Sequence, residues 1–338
     1  MARLLVTGAA GFIGYHLTWG LLAAGHEVFG IDNLNDYYDV ALKQARLDQL
    51  EGERGFEFHP MDVADRPAMA ALFEQKPGFD TVYHLAAQAG VRHSLAHPHR
   101  YVDSNLLGFG NLIEGCRQGG VRHLIFASSS SVYGANTRIP FSENDTVDHA
   151  ISLYAATKKA NELMAHSYAS LYGLPCTGLR FFTVYGPWGR PDMAYYKFAR
   201  AIERGEPINV FNHGRMQRDF TYIDDVVQAM VRLLDHPATP DPDWRGETPT
   251  PANSYAPYRL YNIGNHRPEP LGRLIELLEQ HLGREAEKRY LDMQPGDVEA
   301  TCAEVSALEK LVGFTPSTPL DQGIEHFINW FTDWERRR

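Results

Sequence analysis

Short runs rich in Leu, Ile, Val and Phe alternate, over the first half of the chain, with longer stretches whose apolar positions recur at helical spacing. Residues 3–7, 27–32, 56–62, 81–87, 123–129 and 176–182 read as strands, and 12–24, 40–50, 66–74, 101–118 and 152–172 as the helices between them. Strand–helix alternation implies parallel strands joined by helical crossovers, and strands with little polar alternation fit a sheet covered on both faces. After about residue 183 the regularity breaks down. Helices are expected at 194–204, 224–234, 270–282 and 320–334, and strands at 208–211 and 259–263. Six prolines between 236 and 258 mark an extended surface loop. The expected fold is α/β: a doubly wound parallel sheet over 1–183 and a smaller, irregular α/β domain over 184–338, with the chain crossing between them.

Composition narrows the partners. The chain has 338 residues, 44% hydrophobic and 22% charged, with a formal net charge of −10. That charge opposes general binding to nucleic acid or anionic membranes, though local arginines can still reverse the field inside one cleft. No apolar run approaches the roughly 20 residues needed to cross a bilayer. Cys116, Cys176 and Cys302 are scattered and odd in number, which points to neither a disulfide framework nor a metal site. A cytoplasmic protein is the plain reading.

Gly8-Ala9-Ala10-Gly11-Phe12-Ile13-Gly14 follows the first strand and opens the first helix. Glycines there let backbone N–H groups approach a pyrophosphate at the helix N-terminus, as in a Rossmann dinucleotide site. Asp32 closes the second strand, 18 residues after Gly14, where a carboxylate can accept both ribose hydroxyls and repel a 2′-phosphate; NAD is favoured over NADP. Tyr154-Ala155-Ala156-Thr157-Lys158 places a phenol and an ammonium four apart on one helix face. The ammonium is expected to lower the phenol pKa from about 10 towards neutrality, making Tyr154 a usable base. Ser128-Ser129-Ser130-Ser131 ends the fifth strand, at the edge where such sheets bind ligands, and a serine there can hydrogen-bond the hydroxyl that Tyr154 deprotonates.

With these pieces in this order, the chain resembles the extended short-chain dehydrogenase/reductases, and among them the nucleotide-sugar epimerases, over nearly its whole length. Further matching segments are Leu85-Ala86-Ala87, Val132-Tyr133-Gly134, Leu179-Arg180-Phe181-Phe182-Thr183-Val184-Tyr185-Gly186-Pro187 and Arg218-Asp219-Phe220-Thr221-Tyr222-Ile223-Asp224-Asp225. Within that group Asp32-Asn33-Leu34-Asn35-Asp36-Tyr37-Tyr38, Trp188-Gly189-Arg190-Pro191-Asp192-Met193, Ser254-Tyr255-Ala256-Pro257-Tyr258-Arg259 and Gln294-Pro295-Gly296-Asp297-Val298 look most like the enzymes that epimerise UDP-glucuronate at C4.

The resemblance implies that Ser129, four residues before Tyr133, joins Tyr154 and Lys158 as the catalytic set. It implies an NAD retained through the cycle, held by Gly8, Gly11, Phe12, Ile13, Gly14, Asp32, Asn33, Lys43, Asp62, Val63, Leu85, Ala86, Ala87 and Asn105 as well as by Tyr154 and Lys158. It implies a UDP-sugar beside Arg92, Ser129, Ser130, Ser131, Thr183, Arg190, Met193, Arg215, Arg218 and Asp297. A homodimer through the helices at 101–118 and 152–172 is implied in the same way, although the stripe Leu153, Leu163, Met164, Tyr168 and Leu171 equally suits a core face.

Charge supports the substrate class separately. Two phosphates suit Arg218 as a clamp, with Arg215 assisting, and a uronate carboxylate suits a bidentate arginine, for which Arg190 is the leading candidate beside Arg92 or a backbone amide. The expected reaction converts UDP-glucuronate to UDP-galacturonate through a 4-keto sugar. Rivals are a decarboxylase or dehydratase on the same scaffold and, more remotely, a non-catalytic NAD sensor. Ser130 and Ser131 stand where the lyases of the group carry acidic residues, which favours epimerisation. Gln294, three before Asp297, replaces the arginine of the UDP-galactose epimerases and shifts the pyrophosphate towards Arg218.

Overall fold

Leu4, Leu5 and Val6 of the first strand are all fully buried, and they divide between two cores: Leu4 and Val6 pack on one face of a central sheet, Leu5 on the other. A strand buried on both faces needs no polar alternation, which accounts for the unbroken apolar runs. The computed structural model describes residues 1–336. Its strands are β1 Arg3–Thr7, β2 Glu27–Asp32, β3 Phe56–Pro60, β4 Thr81–His84, β5 His123–Ser129, β6 Cys176–Phe181, β7 Thr183–Tyr185, β8 Ile208–Phe211, β9 Gln217–Tyr222, β10 Tyr258–Ile263, β11 Pro268–Pro270 and β12 Lys288–Leu291. Its helices are α1 Phe12–Ala23, α2 Val40–Leu50, α3 Arg66–Gln75, α4 Val91–Ala96, α5 Pro98–Tyr101, α6 Gly108–Gln118, α7 Leu153–Tyr172, α8 Ala194–Arg204, α9 Ile223–Leu233, α10 Leu271–Leu282, α11 Ser306–Val312 and α12 Leu320–Arg336.

Seven strands form one parallel sheet in the order β10-β6-β5-β4-β1-β2-β3. The winding reverses between β1 and β4, and the carboxyl ends of those strands open the crevice where such sheets take ligands. Past His84 the chain leaves the ladder but stays tied to it: the Leu85 amide donates to the Thr7 carbonyl (3.2 Å) and the Ala86 amide to the Thr7 hydroxyl (3.1 Å). The last strand, β10, comes from the second half of the chain and lies beside β6, Tyr258 opposite Cys176 through Ile263 opposite Phe181.

The single helix expected over 101–118 is broken into α5, a π-helical stretch at Val102–Leu107, and α6. Within the wider turn the Asn105 carbonyl accepts from the Asn161 amide at 2.7 Å, a contact from α7 with no local signature. No strand is expected from Gln217-Arg218-Asp219, yet these residues pair with β11 and continue into the part of β9 that pairs with β7. Its polar Asp219 is buried because it accepts three backbone amides, from Asn265 (2.7 Å), His266 (3.1 Å) and Ala303 (2.8 Å). Among the described residues no helix is long and apolar enough to cross a membrane.

One buried ion pair locks α7 to the sheet. Arg180 on β6 donates Nε to Glu162 Oε1 and Nη2 to Oε2, both at 2.9 Å, and the Ser128 hydroxyl on β5 donates to Oε1 at 2.6 Å. Burial works against the Glu162 carboxylate, but Arg180, Ser128 and Lys159 outweigh it and hold its pKa below the ordinary value. Removing one partner strands the other in the core. Glu162→Gln is expected to lower the unfolding free energy by about 3–5 kcal/mol in urea titrations; a loss under about 1 kcal/mol, the scale of a surface pair, would show that the pair is not what secures the helix.

Candidate active site

Gly8 leaves β1 at φ 74°, a conformation that favours glycine, and its amide donates to the Ile31 carbonyl at 2.8 Å. A Cβ at Gly14 would collide with the Gly8 carbonyl, so the turn closes only without side chains there. The helix it opens, α1, begins at Gly11 with no side chain capping its first N–H groups, whereas Asp39, Asp65 and Ser152 cap α2, α3 and α7. Free donors at the head of a helix suit a pyrophosphate. At the end of β2, Asp32 Oδ1 accepts from the Leu34 amide (2.8 Å) and from Lys43 Nζ (3.5 Å), which also reaches Asn35 (3.2 Å). Both contacts on Asp32 fall on one carboxylate oxygen, consistent with ribose hydroxyls meeting the other.

A cleft of about 1080 Å³ runs from this turn across the carboxyl edge of the sheet. It brings together Gly8, Gly11, Phe12, Ile13, Gly14, Asp32, Asn33, Lys43, Val63 and the segment Leu85-Ala86-Ala87 with Ser129, Ser130, Ser131, Tyr154 and Lys158. Arg92, Thr183, Arg190, Met193, Arg218 and Asp297 line its other end. Asp62, Asn105 and Arg215 are not among the lining residues. Asp62 accepts from Asn33 (3.0 Å) at the rim. Asn105 lies beneath the cleft, holding both backbone groups of Gln88 and the Thr157 hydroxyl. Arg215 is exposed.

Ser152 caps α7 through the Ala155 amide (3.1 Å) and so sets the first turns that carry Tyr154 and Lys158. Lys158 is buried and donates Nζ to the Ala127 carbonyl of β5 at 2.9 Å; burial pushes its pKa down to about 8. The expectation of a lowered Tyr154 pKa is not met. Burial raises it above the usual value, against smaller lowering by Ser129 and Arg190, and Asp192 adds to the rise. The four-residue spacing gave the ammonium its leverage; in the fold that ammonium is turned to a carbonyl, and desolvation of the phenolate wins.

At the far end, Arg190 is held in a fork by Asp192, Nε to Oδ1 at 3.0 Å and Nη2 to Oδ2 at 2.6 Å, and the Tyr37 hydroxyl donates to Asp192 Oδ2 at 3.0 Å. Asp192 and Tyr37 both line the cleft, and sequence reasoning singled out neither, although an arginine and an aspartate two apart in one Gly/Pro-rich loop were a visible signal. Arg92 pairs with Asp297 (2.7 Å) and lies over the Phe211 ring at 4.5 Å. Arg218 donates to the carbonyls of Gln217 (2.8 Å), Val298 (2.8 Å) and Glu299 (3.1 Å). Burial lowers its pKa, Asp297 raises it, and Arg92 lowers it further. No group of three or more His, Cys, Asp or Glu side chains that could hold a metal occurs among the described residues.

Comparisons with known proteins agree with this geometry. Residues 4–264 match the family described as Epimerase, the NAD dependent epimerase/dehydratase family. Protein CapI of Staphylococcus aureus is 51% identical, the match covering 99% of this chain and all of that protein. UDP-glucuronate 4-epimerase 2 of Arabidopsis thaliana is 46% identical over 98% of this chain and 76% of the plant protein. Among solved structures, the UDP-glucuronic acid 4-epimerase of Bacillus cereus, in complex with UDP-glucuronic acid and NAD, superposes with a TM-score of 0.87 at 32% identity, covering 98% of this chain and 99% of that one.

The buried amine has a measurable signature. Folded Lys158 gives up its proton near pH 8, whereas an unfolded lysine holds it to about 10.4. Between those values the unfolded chain binds more protons, so stability rises with pH, by up to roughly 3 kcal/mol across the window. In dinucleotide-free protein, Lys158→Met is expected to remove that rise between pH 7.5 and pH 10 in urea titrations; parallel pH profiles for mutant and wild type would contradict it.

Proposed function

The chain belongs to the NAD dependent epimerase/dehydratase family, and from that premise we propose that it inverts C4 of a UDP-hexuronate, converting UDP-glucuronate to UDP-galacturonate through a 4-keto sugar. One observation carries the reading: a single cleft joins the uncapped dinucleotide turn, the set Ser129, Tyr154 and Lys158, and the arginines Arg190 and Arg218. The relatives and the solved structure that bear the name UDP-glucuronate 4-epimerase support it over nearly the full chain. Residues up to 183 would then hold the dinucleotide and those from 184 mainly the nucleotide sugar, with β10 returning to the first group.

Gly8, Gly11, Gly14 and the first amides of α1 would hold the pyrophosphate of NAD, and Asp32 its adenosine ribose. When bound there, NAD supplies the reversible two-electron chemistry at sugar C4. Ser129 accepts or donates at the 4-hydroxyl and orients it, while Tyr154 takes the hydroxyl proton and later returns it. Taking that proton requires the phenolate, so Tyr154 must first release its own proton to solvent; burial opposes that ionisation and makes the phenolate, once formed, a strong base. Lys158, pinned to Ala127, fixes the turn of α7 on which Tyr154 sits.

A keto sugar must turn over between the two half-reactions, so the ligand is best held away from the hexose. Arg218, fastened to the carbonyls of Val298 and Glu299, suits the pyrophosphate. The 4-keto uronate is a β-keto acid and loses CO₂ when its carboxylate stands out of the ring plane. Arg190 would grip that carboxylate and hold it near the plane, taking it in exchange for Asp192.

Leu163 and Leu171 of α7 stand 61% and 71% exposed, with Leu107 and Val102 exposed on the π-helical stretch, whereas Met164 and Tyr168 are half-buried against the core. This exposed face suits pairing with a second copy of the chain. Three free, buried cysteines suit a reducing cytoplasm.

Purified protein given UDP-glucuronate should yield UDP-galacturonate; a UDP-pentose would mark a decarboxylase, and no product a sensor. Arg190→Ala is expected to release UDP-pentose or to end turnover, read by anion-exchange chromatography of the products. Unaltered epimerisation by that variant would overturn the role given to Arg190.

A further inference from the structure

Arg46, on α2, is fully buried, and every hydrogen bond it makes goes to a neutral acceptor. Nε donates to the Trp188 carbonyl (3.2 Å); Nη2 donates to the same carbonyl (2.6 Å) and to that of Gly189 (3.4 Å). Nη1 donates to the Ala10 carbonyl (2.8 Å) and to the Tyr38 hydroxyl (2.7 Å). All five N–H groups of the guanidinium are engaged. A cation is expensive to bury among uncharged groups, and a structural role for one carbonyl would be met by far less.

What the five bonds connect is informative. Ala10 belongs to the glycine turn at the head of α1, while Trp188 and Gly189 immediately precede Arg190. The same segment is held at its preceding carbonyl by His16 of α1, whose Nε2 donates to Pro187 at 3.0 Å. Burial pushes the His16 pKa down to about 4, so this second tie is neutral. Trp188 sits at φ 58°, unusual for a residue with a side chain, and its ring rests against Tyr15, Trp330 and Trp334 at centroid distances of 5.6, 5.3 and 5.7 Å. A strained loop persists only when its surroundings over-determine it, and here the hydrogen bonds on its carbonyls come from α1 and α2, on the dinucleotide side of the cleft.

We propose that Arg46 is a positioning residue that binds the Arg190 loop to the dinucleotide turn, and thereby sets recognition of the acidic sugar without touching it. The proposal rests on the reading of Arg190 as the carboxylate ligand. A lysine cannot replace the planar five-donor fork. A displacement of about 1 Å at a binding group can cost up to a hundredfold, and only a ligand that uses Arg190 should register it.

The experiment compares calorimetric dissociation constants of UDP-glucuronate and UDP-glucose on NAD-loaded wild type, Arg46→Met, Arg46→Lys and Arg190→Ala. For both Arg46 variants UDP-glucuronate is expected to weaken about tenfold or more, equivalent to about 1.4 kcal/mol, while UDP-glucose changes less than about twofold and the NAD content per chain stays at the wild-type level. Equal weakening of both ligands, or loss of NAD in step with it, would mean that Arg46 merely supports the fold and would overturn the proposal. If Arg46→Met fails to fold, Arg46→Lys decides alone, and wild-type affinity for UDP-glucuronate in that variant overturns it too. Selective weakening in Arg190→Ala without any in the Arg46 variants defeats the Arg46 inference by itself; no selectivity in Arg190→Ala defeats the reading of the carboxylate site.

Discussion

The buried pair of Glu162 and Arg180 is the constraint on which the geometry of the cleft depends. Glu162 lies one helical turn beyond Lys158 on α7, and Ser128, which donates to the same carboxylate, is the neighbour of Ser129 on β5. Arg180 comes from β6 and also lies over the Tyr133 ring at 5.0 Å. One carboxylate thus fixes the distance and rotation of the helix carrying the phenol and amine against the strand carrying the serine hydroxyl. Helix propensity and apolar packing alone would allow α7 to slide or roll by fractions of a turn. A fully buried charge pair does not, because any shift exposes a desolvated charge to no partner.

The cleft itself handles charge by keeping its cations occupied. Arg190 is forked onto Asp192, and Arg92 meets Asp297. Neither arginine waits bare for an anion, so an acidic ligand would have to exchange with, or share, a carboxylate already in place. Such a site gains less from an acidic ligand than an empty arginine would. It gains selectivity instead, since a neutral group offers nothing for which the internal pair would open. Arg218 is treated differently: carbonyls hold it, and its charge stays available to the cleft.

Much of this was legible along the chain, for local reasons. Strand β1, the glycine turn and helix α1 follow one another within a few residues, and the apolar period, the glycines and the helix start all lie in one window. Features built from distant partners left no such trace. Asp219 in β9 reads as a loop residue until the amides of Asn265, His266 and Ala303 are brought to it. Arg46 carries no local signal in the sequence, because the carbonyl it donates to lies at Trp188, 142 positions away. Tyr154 departs from the spacing rule for a related reason: charge spacing can be counted on a helix, whereas burial cannot, and burial is the larger effect on its pKa.

The late arrival of β10 has a bearing on how the protein is made. Strand β6 is buried along all six of its positions, and β10 covers one of its edges, Tyr258 opposite Cys176. A ribosome emitting roughly 5–20 residues per second delivers that covering strand several seconds after β6 has emerged. Through that interval a strand with open backbone groups forms the border of an otherwise assembled sheet, the kind of edge that recruits other chains. A nascent chain of this protein therefore passes through a defined period of exposure that ends only when synthesis has gone well beyond the dinucleotide half. Early termination there would leave a sticky fragment rather than a freestanding domain.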